Sequence, residues 1–177
     1  MPKSSISQIE KDEKKILEEL SKNANRSIND IAKSLGFSRQ KVWRVIKNLE
    51  KNNTIWGYAA VVDQGKLNRK RYLLVMKRTN KPFSKESINK IINRDLTEQV
   101  KKIGIKIINS YYTSGAFDWV LCFTANNIRE AKSLVEELNK IYEEFVSESY
   151  LLENMFPVVS HGVANPEIKK LKDFFKI

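Results

Sequence analysis

The feature that most constrains this chain is a four-residue junction, Leu35-Gly36-Phe37-Ser38, between two stretches of helical periodicity. Before it, Ile28, Ile31, Ala32 and Leu35 recur at the spacing of one helix face. Ser27 with Asp30 three residues on marks the start of that helix, and Gly36 supplies the left-handed backbone that ends it. Ser38 is an N-cap residue type and restarts a helix at once. Phe37 before the cap and Val42 at the fourth helical position have hydrophobic-staple spacing. Two helices joined by a turn of about three residues have the geometry of a helix-turn-helix.

The helix that follows, about Arg39 to Asn52, divides by face. At roughly 100° per residue, Val42, Val45, Ile46 and Leu49 point one way. Gln40, Arg44, Lys47 and Lys51 point the other, with Trp43 and Asn48 on the flanks. A helix with a cationic outer face suits a DNA major groove, where Arg reads guanine, Gln reads adenine and lysines hold phosphates. The same face also reads as ordinary solvated surface, and Trp43 as a cover for a helix junction. A first helix, about Gln8 to Lys22, buries Ile9, Ile16, Leu17 and Leu20. After the third helix, Asn52-Asn53 turns the chain into a β-rich run, Ile55 to Asp63. These elements predict a head of three helices plus a hairpin over residues 1–56, then a linking strand and basic hinge over 57–71.

Residues 72–154 alternate strand and helix. Arg71 to Lys77 reads as a strand, and Pro82 with Ser84 opens a helix of about 18 residues burying Ile88, Ile92, Leu96, Val100 and Ile103. Gly104 ends it. Strands at Ile105–Thr113 and Phe117–Thr124 flank the turn Ser114-Gly115. Asn127 and Glu130 cap a helix lined by Ile128, Ala131, Leu134, Val135, Leu138, Ile141 and Tyr142, and Phe145–Leu152 is a fourth strand. The order is βαββαβ, a ferredoxin-like α+β unit. Its strands are apolar on both faces, as in Phe117, Trp119, Leu121 and Phe123 against Val120 and Cys122. Two helices cover one face of such a sheet; a second subunit is the simplest cover for the other. Residues 155–177 form a C-terminal extension, with Asn165-Pro166-Glu167 opening a short helix to about Phe175.

The 177 residues carry a net charge of +11, unevenly spread. Residues 1–63 hold 12 basic and 8 acidic side chains, 64–106 hold 13 and 3, 107–154 hold 3 and 8, and 155–177 hold 4 and 2. A basic front half followed by an acidic module points to a polyanion-binding end. One cysteine, Cys122, excludes an internal disulfide framework, and one histidine, His161, argues against zinc or His-based chemistry. Cys122 reads as a small core residue rather than a nucleophile, and His161 has no metal-ligand spacing around it. No catalytic residue, metal site or cofactor is expected. Met1 to Glu10 lacks an apolar leader core and no apolar run is long enough to span a bilayer, so a cytoplasmic, nucleoid-associated protein is expected.

The residues Asp12…Ile16-Leu17…Leu20…Asn25-Arg26-Ser27…Asp30-Ile31-Ala32…Leu35-Gly36-Phe37-Ser38…Val42…Ile46…Leu49-Glu50…Ile55…Gly57-Tyr58-Ala59-Ala60 resemble the head of the Lrp/AsnC, or feast/famine, transcription regulators. Ser114-Gly115-Ala116-Phe117-Asp118 stands where that family's second domain has a Gly-x-x-Asp turn. The resemblance covers about residues 8–154. It implies a winged helix-turn-helix DNA-binding head, a homodimer through the second domain with further assembly to tetramers or octamers, and pairing of Gly57–Asp63 with its counterpart in the dimer. It also implies a small-molecule effector, commonly an amino acid, near the turn. On this reading Ser38, Arg39, Gln40, Lys41, Trp43, Arg44 and Lys47 are the DNA-binding residues, and Ser114, Gly115 and Asp118 the effector-binding residues. Asp118 also reads as a structural side chain bonding local backbone N–H groups. The chain departs from the family at Val45, where Arg is usual, and at Asn53, where Gly is usual. The expected function is sequence-specific transcriptional regulation. The alternatives are an architectural DNA-compacting protein and, more remotely, a siroheme decarboxylase-like enzyme.

Overall fold

The structure, a computed structural model, describes residues 6–142 and 144–175. The chain divides into two compact units, a head of Met1–Val61 with His161–Val163, and a second unit of Val62–Ser160 with Ala164–Ile177.

Three helices make the head: α1 (Ile6–Lys22), α2 (Ile28–Leu35) and α3 (Arg39–Lys51). The Ser27 hydroxyl accepts the Asp30 N–H at 3.1 Å and donates to Asp30 Oδ2 at 2.7 Å, fixing the start of α2. Gly36 ends it at φ +66°, and the Phe37 N–H returns to the Ala32 carbonyl at 2.9 Å. Ser38 then accepts the Lys41 N–H at 3.2 Å and starts α3. Ile16, Ile31, Ala32, Val42 and Ile46 form the core, with Leu20, Leu35, Phe37, Val45 and Ile55 packed around it. Asn53 after α3 has φ +59°, the conformation that glycine adopts most readily and asparagine tolerates.

A carboxylate occupies a place in α1 where an apolar residue would be expected. Asp12 is buried, whereas Ile9, expected inside, is 46% exposed. Asp12 Oδ2 accepts from Lys41 Nζ at 2.5 Å and Oδ1 from Gln8 Nε2 at 2.9 Å. The same ammonium lies 3.9 Å from the centre of the Phe37 ring. Asp12 thus ties α1 to the first turn of α3 by a partnered buried charge.

In the second unit a four-stranded antiparallel sheet has the order β2-β3-β1-β4: β1 (Lys70–Arg78), β2 (Lys106–Tyr112), β3 (Trp119–Ala125) and β4 (Val146–Glu153). Helices α4 (Lys85–Ile92), α5 (Asp95–Lys102) and α6 (Ile128–Tyr142) complete the βαββαβ arrangement. One sheet face carries Tyr72, Leu74, Met76, Trp119, Leu121 and Phe123, all buried with Leu96, Val100, Leu134 and Leu138 from the helices. The other face carries Leu73 paired with Cys122 and Leu152, and Val75 paired with Val120 and Tyr150. These side chains are half-buried or exposed. Cys122 stands among them, and burial pushes its thiol pKa up, which suits packing rather than nucleophilic chemistry.

Three expectations are corrected. The expected 18-residue helix is two helices, α4 and α5, because Arg94 takes a left-handed conformation at φ +60°. The break changes the phase of the buried face, so Ile88 and Ile92 are exposed while Leu96 and Val100 stay inside. The hairpin expected after α3 is not formed within this chain: residues 55–63 enter no strand. A strand exists by its ladder of inter-strand hydrogen bonds, and among the described residues no segment pairs with this run. Trp56 is left 95% exposed. The tail helix is shorter than expected, a 3-10 turn at Ile168–Lys170 followed by α7 (Leu171–Phe175), after Asn165 Oδ1 accepts the Glu167 N–H at 2.8 Å. His161 and Gly162, both with positive φ, form the two-residue turn between the short strands β5 (Val159–Ser160) and β6 (Val163–Ala164).

The Lys41 hydrogen bond holds the Asp12 carboxyl below its usual range, with burial pulling the other way. A depressed folded-state value stabilises above the unfolded pKa of about 3.9, and that stabilisation is lost as pH falls through the folded value. Thermal melts from neutral to acid pH should therefore show the wild type losing Tm below about pH 4 more steeply than Asp12→Asn. Parallel curves would contradict the linkage.

Candidate nucleic-acid interface and a cleft in the second unit

The helix-turn-helix fixes which side of α3 meets solvent. Val42, Ile46 and Leu49 are buried, and Val45 is half-buried against the head core. Arg39, Gln40, Arg44, Lys47 and Lys51 are exposed on the opposite side, and Trp43 is 53% exposed. Trp43 is therefore half free to meet a partner. The Val45 position, where the resemblance has Arg, serves packing here.

The outward cations are not equivalent. Arg39, Arg44 and Lys51 make no hydrogen bond or ion pair among the described residues. Lys47 is paired with Glu50 Oε2 at 2.7 Å. Glu50 also accepts the Tyr58 hydroxyl at 3.1 Å, and the two bonds, that of Lys47 foremost, hold its carboxyl below its ordinary pKa. Lys47 is thus a half-neutralised charge on the rim. Lys41 differs from the expectation altogether: its ammonium turns inward to Asp12, so it supports the helix rather than lying on the outer ridge. The Ser38 oxygen is occupied as the cap of α3. Gln40 and Arg44, one turn apart, are exposed side chains with base-reading chemistry, as is Arg39 at the start of the helix.

The second unit holds a cleft of about 450 Å³. Ser114, Gly115 and Asp118 all line it, at the end of the sheet where β2 turns toward β3. Its walls are aromatic. Tyr112 stacks on Trp119 with centroids 5.2 Å apart, Trp119 meets Tyr142 edge-on at 5.4 Å, and Phe83 stacks on Phe145 at 4.8 Å. Burial pushes the Tyr142 hydroxyl up to about 12, and raises that of Tyr112 as well, so both are neutral hydrogen-bonding groups.

Asp118 does two things at this cleft. Its Oδ2 accepts the Arg78 N–H at 3.0 Å, and its Oδ1 lies 3.6 Å from Arg78 Nε. The turn itself is closed by the Thr113 N–H to the Asp118 carbonyl at 2.9 Å and by the Asp118 N–H to the Met76 carbonyl at 2.9 Å. A carboxylate and a guanidinium therefore stand side by side on an aromatic-walled cleft. The turn is legible in the sequence, but Arg78, Tyr112, Trp119 and Tyr142 come from β1, β2, β3 and α6 and have no sequence signal that joins them to it. The pairing of Arg78 with a residue forty positions away has no local signal.

No group of His, Cys, Asp and Glu able to hold a metal ion occurs among the described residues. No helix among them is long and apolar enough to cross a membrane.

Residues 13–55 match a winged helix-turn-helix DNA-binding family. The chain is 28% identical over 132 residues to an uncharacterized HTH-type transcriptional regulator of Pyrococcus furiosus, covering 74% of this chain and 78% of that protein. Among solved structures it is similar to an AsnC family transcriptional regulator from Agrobacterium tumefaciens, with TM-score 0.61 and 23% identity over 84% of this chain and 91% of that one. It is also similar to a feast or famine regulatory protein from M. tuberculosis complexed with L-methionine, with TM-score 0.64 and 13% identity over 88% and 96% of the two chains. The head thus matches a winged helix-turn-helix DNA-binding family in sequence, and the chain shares its fold with these regulators.

Proposed function

We propose that the protein is a sequence-specific transcriptional regulator that inserts α3 into the DNA major groove, acting as a homodimer. The observation that carries this reading is the outward ridge of α3. Arg44 and Gln40 are exposed and unpartnered there, at the spacing of adjacent turns, on a helix whose opposite face is locked into the head core. Arg39 and Lys51 lie toward the two ends of the same helix, where they suit phosphates. Lys47 joins them at the expense of its bond to Glu50.

Two apolar surfaces support the dimer. The sheet face bearing Leu73, Val75, Val120, Tyr150 and Leu152 is opposite the one that α5 and α6 bury, and the run with Trp56, Tyr58, Val61 and Val62 is exposed, with no strand partner among the described residues. A second copy supplies both a sheet face and an edge. Two symmetric heads then read two half-sites.

The cleft at Asp118 supports a small-molecule effector with an ammonium and a carboxylate, an amino acid. Asp118 would take the ammonium and Arg78 the carboxylate, while Tyr112, Trp119 and Phe83 pack the side chain. The mycobacterial relative was crystallised with L-methionine, which is a molecule of this chemistry.

Arg44→Ala should weaken binding to the specific site by about 1–3 kcal/mol and leave random DNA almost unchanged, measured by titration at one salt concentration. Equal losses on both would make Arg44 a phosphate contact and favour an architectural role. For the cleft, a thermal-shift screen of the amino acids should give at least one stabilising ligand, and Asp118→Asn, which keeps an acceptor for the Arg78 N–H, should lose that shift. A wild type that no amino acid stabilises would remove the effector.

A further inference from the structure

One end of the sheet gathers cations from separate stretches of chain. β1 begins at Lys70 opposite Ala125, and β2 begins at Lys106 opposite Thr124, the last two residues of β3. Arg69 binds these stretches together. Its Nη2 donates to the Gly104 carbonyl at 2.5 Å and the Thr124 carbonyl at 2.7 Å, and its Nε donates to Thr124 Oγ1 at 2.9 Å. The end of α5 with Lys101 and Lys102, the turn into β2 with Lys106, and the turn into α6 with Arg129 therefore meet at one place.

Lys101, Lys102, Lys106 and Arg129 are all exposed, and none of their side chains makes a hydrogen bond or ion pair among the described residues. Two of the nearby acids are committed to the fold, while Glu98 lies exposed one turn before Lys101 and Lys102. Glu130 accepts the Asn126 N–H at 2.9 Å and the side-chain amides of Asn126 and Asn127, and Glu153 pairs with Lys70 at 2.7 Å. Fold stability explains only part of this cluster. Lys101 and Lys102 complement the C-terminus of α5, but Arg129 is the second residue of α6, where the helix dipole opposes a cation. Over residues 64–106 the excess is 13 basic to 3 acidic side chains.

We propose that this end of the sheet is a second DNA-binding surface, engaging backbone phosphates of duplex flanking the sequence that α3 reads. The inference rests on the DNA-binding reading of the head. The four exposed cations lie at the ends of two helices and at the start of a strand, spread over separate stretches of chain, which suits an extended polyanion rather than a small anion. The turns themselves, residues 101–106 and 126–129, carry no aromatic side chain on which the bases of a single strand could stack, so a duplex backbone is the fitting form.

The test compares wild type with K101Q/K102Q/K106Q/R129Q on two duplexes: one of about 20 base pairs holding only two half-sites, and one extended on both sides. On the long duplex the slope of log K against log salt should become shallower by about 0.9 for each phosphate no longer neutralised, up to about 3–4 in all. The short duplex should show no change. A control with arginine at 101, 102 and 106 should keep the wild-type slope, which separates removal of charge from damage to the fold. Unchanged slopes on the long duplex overturn the proposal, as do equal changes on both duplexes. A change only in self-association, seen by sedimentation, overturns it too and assigns the cluster to the acidic 107–154 stretch of another copy. Failure of the head reading looks different: the wild type then shows no preference for the selected site on either duplex.

Discussion

Everything the head does depends on the handedness of one backbone turn. Gly36 at φ +66° ends α2, and two residues later Ser38 caps α3. That spacing sets the angle at which α3 leaves, and so which of its faces meets the core. With Val42, Ile46 and Leu49 inward, Gln40 and Arg44 have no course except outward. The Asp12–Lys41 pair reinforces this from the other side by tying the first turn of α3 to α1. A residue with a Cβ would meet no neighbour at position 36, but it would carry the strain of a left-handed backbone. The demand for glycine here is conformational, not steric.

The second unit poses a different physical problem. A βαββαβ chain supplies helices for one face of its sheet and strands that are apolar on both. Leu121 and Phe123 lie in the core built with α5 and α6, while Val120 and Cys122 between them lie half-buried on the opposite face of the sheet. A fold of this kind is stable as a layered unit yet leaves surface that favours association. It also brings side chains from four elements to the rim where Asp118 bonds Arg78.

Much of this was legible in the sequence because it is written in short-range chemistry. Ser27, Gly36, Ser38, Gly104 and Asn127 announce element boundaries through capping bonds spanning three or four residues. Helical stripes such as Ala131, Leu134 and Leu138 need only periodicity. What escaped was long-range or conformational. Nothing local marks Arg94 as left-handed, so one helix was expected where two exist. Nothing local draws Lys41 to Asp12, twenty-nine residues away, so a support was read as part of the reading surface. Residues 55–63 have strand composition, but a ladder requires a partner that periodicity does not supply. The aromatic walls around Asp118 come from four elements and become neighbours only when the sheet closes.

The central claim is that α3, held outward by this turn, reads bases in a major groove from two symmetric copies. Selection of bound sites from random duplex DNA tests it most directly. The account predicts enrichment of an inverted repeat whose half-sites are centred about one helical turn, or a multiple of it, apart. A selected pool with no common sequence, retained only at low salt, would contradict it.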